Sequence, residues 1–113
     1  MPVFSKLMIV SVTKIELNSY SKLLAFFKFN AQIIAELKQS PCKTYDFTGN
    51  WNFKVWYTMS LWENENEINQ FYRNGAHLEA MKKATFFSSK IQSKRIHKEN
   101  MLTWKEAKKM FDN

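Results

Sequence analysis

A chain of 113 residues with 45% hydrophobic content, 16% aromatic content and a net charge of +7 suits one domain over residues 1–113, with a core of its own. The lone Cys42 excludes an internal disulfide framework and fits a reducing compartment. The apolar run "LMIVSV" is too short to span a bilayer and no small-residue cleavage site follows it, so a cytoplasmic protein without membrane contact is expected.

Residues 7–17, "LMIVSVTKIEL", mix alternation with β-branched residues and predict a buried strand. Asn18 and Ser19 are suitable N-caps for the next element. Leu23, Phe26, Phe27, Ile33, Ile34 and Leu37 recur at helical spacing within residues 20–38, which predicts an amphipathic helix stopped by Ser40-Pro41. "CKTYDFT" predicts a short strand and "GNWN" a turn. The run "FKVWYTMSLW", residues 53–62, is the clearest strand. It sets Phe53, Val55, Tyr57, Met59 and Leu61 on one face, and Lys54, Trp56, Thr58, Ser60 and Trp62 on the other. That second face is mixed, as on a sheet that meets another subunit or lines a wet cavity.

Asn64 and Glu67 have the spacing of a capping box, with Ile68, Phe71 and Tyr72 as the apolar stripe of the helix behind it. Gly75 fits its closing left-handed residue. A further helical segment is expected from His77 to about residue 87, then a polar strand over 91–98 and a short terminal helix over 103–111. Thr103 and Glu106 form a second capping box there. The order βαββαβ predicts an α+β, ferredoxin-like split sheet with both main helices on one face.

Chemistry-bearing motifs are few. No Cys/His cluster has metal-ligand spacing, and glycines at 49 and 75 build no phosphate loop. Ser60 lacks the Gly-x-Ser-x-Gly context of a hydrolase nucleophile. Nine Lys or Arg against Glu99 and Glu106 between residues 82 and 109 attract anions without sequence preference. An RNA-recognition module shares the element order, but its third strand carries glycines among aromatics. Here "NFKVWYTMSLW" has none, so no specific nucleic-acid partner is expected.

The stretch "YTMSLWENENEINQFYRNGAHLEAMKK", with "SLWE" closing the strand and "GAH" after the helix break, resembles the third strand and second helix of the dimeric α/β-barrel superfamily. This superfamily includes the antibiotic-biosynthesis-type monooxygenases. The likeness is strongest to small uncharacterised bacterial proteins that are similar in turn to spheroidene monooxygenase. It implies a homodimer whose sheets pack face to face, with Trp56, Thr58, Ser60 and Trp62 at the dimer interface. It also implies a small-molecule cleft between sheet and helices, bordered by Tyr57, Met59, Leu61, Phe71, Arg73 and Met81. Periodicity alone leaves the orientation of the two faces open.

The resemblance implies monooxygenation or binding of a small aromatic or polyene substrate. A non-catalytic, ligand-binding dimer carries the same residues and stays open beside it. His77, four residues before Met81, is the candidate catalytic base, and capping of the broken helix is its structural alternative. The cofactor stays open: the haem-degrading members use an Asn, a Trp and a His, which fall near Thr13, on Phe71 and on Met81, so that residue set is absent. No metal is expected.

Overall fold

The computed structural model describes residues 7–50, 52–73, 82, 84 and 86–112. Strand β1 (Met8–Leu17) leads through a 3-10 turn (Tyr20–Lys22) into α1 (Leu23–Gln39); β2 (Thr44–Gly49) and β3 (Val55–Trp62) follow as a hairpin. Then come α2 (Glu65–Arg73), β4 (Ser88–Lys98) and α3 (Trp104–Lys109). Residues 82, 84, 86 and 87 are helical. The sheet has four strands in the order β2-β3-β1-β4. All pairings are antiparallel, as the split βαβ pattern requires. The α+β, ferredoxin-like expectation holds.

Side-chain alternation divides the sheet into two faces, each with its own core. On one, Ile9, Ile15, Leu17 and Trp62 pack with Phe26, Phe29, Ile33 and Leu37 of α1 and Ile68 and Phe71 of α2. On the other, Val10, Val12, Tyr57, Met59 and Leu61 pack with Leu102, Ala107 and Phe111 around α3. Both faces are covered, and each set on β1 and β3 supplies apolar side chains to the core on its own side.

This orientation corrects two expectations. Trp56, Thr58, Ser60 and Trp62 turn toward α1 and α2; Trp62 is 1% exposed beneath them. Tyr57, Met59 and Leu61 lie beneath α3 instead of under the two main helices. The physical reason is the partner strand. β1 places Ile9, Ile15 and Leu17 on the α1/α2 side, and the antiparallel register carries Trp56, Thr58, Ser60 and Trp62 there with them.

Local signals held in part. Asn64 caps α2 by accepting from the Glu67 backbone N–H (3.0 Å), while the Glu67 carboxylate reaches one residue further back, to the Glu63 N–H (3.0 Å). The α3 box is complete: Thr103 accepts from the Glu106 N–H, and Glu106 accepts from the Thr103 N–H. Asn18 and Ser19 do not act as caps. The 3-10 turn has no side-chain cap, and the Asn18 carboxamide donates to the Phe86 carbonyl. Gly75 lies outside the described residues.

The β2–β3 hairpin runs shorter than the sequence pattern because Phe53 leaves the strand with φ 60°. Its N–H donates to the Asn50 carbonyl, and its own carbonyl accepts from the Trp56 indole, 2.9 Å in each case. Gly49 sits directly across from Trp56 in this hairpin. A Cβ there would meet the indole ring at 2.6 Å, so the residue type follows from close packing.

Candidate functional site

Between the sheet and α1/α2 lies a cavity of about 560 Å³, within the range of small-molecule sites. Among the described residues, Ile15 and Ile91 of the sheet, Phe29, Ile33 and Leu37 of α1, and Phe71 of α2 form its apolar walls. Trp62 lies behind Phe71, ring centroids 5.2 Å apart. This arrangement suits a flat apolar body.

The floor is polar in an ordered way. Thr13 pairs with Thr58 on one side and Ser93 on the other, so three hydroxyls line up across β3, β1 and β4. All three line the cavity, and Thr13 Oγ1 lies 3.4 Å from Ser93 Oγ. The next row holds Ser60, Ser11 and Arg95. Ser60 Oγ accepts from the Trp62 indole N–H at 2.7 Å. The buried Ser11 Oγ lies 3.0 Å from the Tyr72 hydroxyl.

Two further groups give the cavity direction. Asn30 of α1 is 7% exposed and lines it; no hydrogen bond joins its carboxamide to another described residue. An unmatched carboxamide in an apolar wall is costly unless a ligand or water completes it. Arg95, on edge strand β4, donates to Asn69 Oδ1 at 3.2 Å and stands 5.4 Å over the Tyr72 ring. It therefore supplies a fixed positive charge at the open side.

The structure brings together only part of the expected site. Phe71 lines the cavity, and so do Thr58 and Ser60, which were expected at a dimer interface. Tyr57, Met59 and Leu61 belong to the opposite face. Arg73 is exposed and outside the cavity lining; Arg95 is the guanidinium at this site. His77 and Met81 lie outside the described residues. Asn30 was legible: it follows Phe26 by four residues and precedes Ile33 by three, a polar residue on a helix's buried stripe. Tyr57, now under α3, has its pKa raised by burial and then by the negative charge of Asp112. That shift belongs to the α3 contact.

No group of three or more His, Cys, Asp or Glu among the described residues can hold a metal ion. No helix of the described residues is long and apolar enough to cross a membrane.

No protein-family model and no curated protein matches this sequence. Solved structures do match in shape. A Deinococcus radiodurans protein provisionally assigned as an antibiotic biosynthesis monooxygenase superposes with a TM-score of 0.75 at 10% identity, over 85% of this chain and 97% of that one. SnoaB of Streptomyces nogalater, a cofactor-independent oxygenase, gives 0.72 at 9% identity, over 84% and 96%. A conserved protein of Methanosarcina mazei gives 0.74 at 18% identity, over 81% and 93%. At such identities the likeness establishes the fold: the chain has the ferredoxin-like α+β architecture of antibiotic biosynthesis monooxygenase-like proteins.

Proposed function

We propose that this protein is a monooxygenase-like enzyme that takes a small aromatic or polyene substrate into the α1/α2 cleft. The observation that carries the reading is the cleft itself: about 560 Å³, apolar-walled, with a hydroxyl row below and the Asn30 carboxamide beside it. Apolar walls hold a flat conjugated body, and the few polar groups orient its oxygens. Arg95 at the open side favours a substrate with a phenolate, enolate or carboxylate oxygen.

SnoaB is a cofactor-independent oxygenase, and one oxygenation that needs no cofactor fits such a cleft. An activated CH₂ group loses a proton to a base, and the carbanion reacts with dioxygen. One oxygen atom becomes the carbonyl and the other leaves as water, so R₂CH₂ and O₂ give R₂C=O and H₂O. The substrate supplies the electrons; the protein supplies a dry pocket, anion-stabilising donors and the base. We assign the base to His77, the histidine that follows Arg73 by four residues, because imidazole is the side chain whose ordinary titration range lies near neutrality. We also assign a homodimer, with its contact on the α3 side, where Met8, Val55, Ile96 and Trp104 remain partly buried. Light scattering should give twice the 13.5 kDa chain mass, and a monomer at micromolar concentration refutes the dimer.

Oxygen uptake with a panel of anthrone-type and quinol substrates tests the enzyme reading. Activity should fall by about 100-fold or more in His77→Ala, as expected for loss of a general base. Substrates that bind without oxygen uptake by the wild type would favour a non-catalytic ligand-binding protein.

A further inference from the structure

One end of the sheet collects exposed aromatic and aliphatic side chains that the cleft does not use. β1 ends here, β3 starts here and the 3-10 turn leads into α1. Tyr20, Leu24, Phe27, Phe53 and Phe86 are all exposed, Leu24 at 68% and Phe53 at 56%. They are tied together: Phe27 and Phe53 both pack on Trp56, with centroids 5.4 and 6.3 Å away.

Two lysines sit among these rings. Lys22 Nζ lies 3.7 Å from the Phe86 ring centroid, and Lys54 Nζ lies 4.9 Å from that of Tyr20. Residues 18–28, 49–50, 52–57 and 86–90, which build this end, contain Lys22, Lys28, Lys54 and Lys90 and no Asp or Glu. The nearest acid on β1, Glu16, alternates onto the α3 face beside Lys14.

The backbone adds a second signal. Phe53 holds φ 60°, a conformation that bulky L-residues avoid and glycine adopts freely. The hairpin keeps an aromatic at its tip despite that cost, and points it outward.

We infer that this end of the molecule is a docking surface for an anionic phospholipid bilayer, with aromatic and aliphatic side chains entering the headgroup layer and the lysines meeting lipid phosphates. Apolar side chains ringed by snorkelling lysines are the pattern of interfacial binding. A second copy of the same chain is the poorer occupant, because it would bring Lys22, Lys28 and Lys54 of two positively charged chains together. The surface departs from the expectation of no membrane contact, and it differs from a spanning segment.

The test is sedimentation of the 113-residue protein with vesicles of phosphatidylcholine alone and with about 30% phosphatidylglycerol added, the lipid whose charge attracts basic segments. Binding should appear only with the anionic vesicles. Leu24→Ser combined with Phe53→Gly should abolish it while leaving the circular dichroism spectrum unchanged, since both side chains are exposed. Lys22→Gln and Lys54→Gln should each weaken it by about fivefold. The inference is overturned if anionic vesicles are not bound, or if the double variant binds as well as the wild type, which would assign adsorption to the basic stripe elsewhere. It is also overturned if light scattering shows a dimer that the double variant converts to a monomer without vesicle binding in either form. The cleft reading is independent of every one of these outcomes.

Discussion

Asn30 stands where the α1 stripe calls for an apolar residue, between Phe26 and Ile33, and its carboxamide faces the cleft without a described partner. Leucine has the same branched outline of four heavy atoms, its extra bulk can enter the cleft, and it leaves no polar group to desolvate. Asn30→Leu should therefore raise stability by up to about 1 kcal/mol in urea denaturation. A loss of stability instead would show that the carboxamide is satisfied in the fold and belongs to the structure, not the site. Gly49 illustrates the opposite constraint. The Trp56 ring that its Cβ would strike is held by Phe26, Phe27 and Phe53. Gly49→Ala should cost about 1–3 kcal/mol, the range of overpacking, read as a lowered denaturation midpoint. An unchanged midpoint would mean that Trp56 moves freely. Both residues carry their signal in the sequence, Asn30 as a polar intruder in a helical stripe and Gly49 as a glycine at a strand end. The residues they would meet do not, because contact across the sheet depends on register.

At the scale of elements, the strands and helices follow from hydrophobic period, and their order implies the split sheet. Which side of β3 faces α1 does not follow, since alternation gives two sets without a direction. The outcome turned on β1, whose Ile9, Ile15 and Leu17 share a face with Trp62, and on α3. Ala107 of that short helix, with Leu102 before it and Phe111 after it, covers the second face, although the sequence shows only a capped tail. Because α3 is six residues long, its N-cap matters: Thr103→Ala should cost about 1 kcal/mol and loosen the helix first. Hydrogen exchange at Ala107 and Lys108 should rise before that of β1 amides; equal rates would contradict a separately capped helix. The pH response follows from two groups at this contact. The Thr103 N–H and hydroxyl hold the Glu106 carboxyl below the usual carboxylate range. Its support is present above its unfolded pKa and is lost as pH falls through the folded value, on the acid side. Tyr57, packed against Trp104 and Phe111, has its pKa raised by burial first and Asp112 second. Its contribution is intact at neutral pH and lost as pH rises through the alkaline range where the phenol ionises. The α3 contact should thus loosen at both extremes, visible as quenching changes at Trp104. Loosening only near neutrality would be the wrong sign for both groups.

For the whole molecule, one sheet carries two separate cores, and the proposed function uses the gap left on one of them. The α1/α2 side is incompletely filled because Thr13, Thr58 and Ser93 take floor positions where larger apolar residues would close it. The α3 side has apolar Val10, Val12 and Met59 at the centre of its packed cluster. Fold-level likeness to oxygenases does not locate a site, since unrelated chemistries share folds; the proposed site rests on the cavity and its polar floor. The reading therefore stands or falls on where a conjugated ligand sits. Methyl-resolved NMR of the wild-type protein, titrated with a quinol or polyene that binds, decides it. The account predicts shifts at the methyls of Ile15, Ile33 and Ile91 around the cleft, with little change at Val10, Val12 and Met59 beneath α3. Shifts centred on Val10, Val12 and Met59, with the isoleucines unmoved, would contradict it.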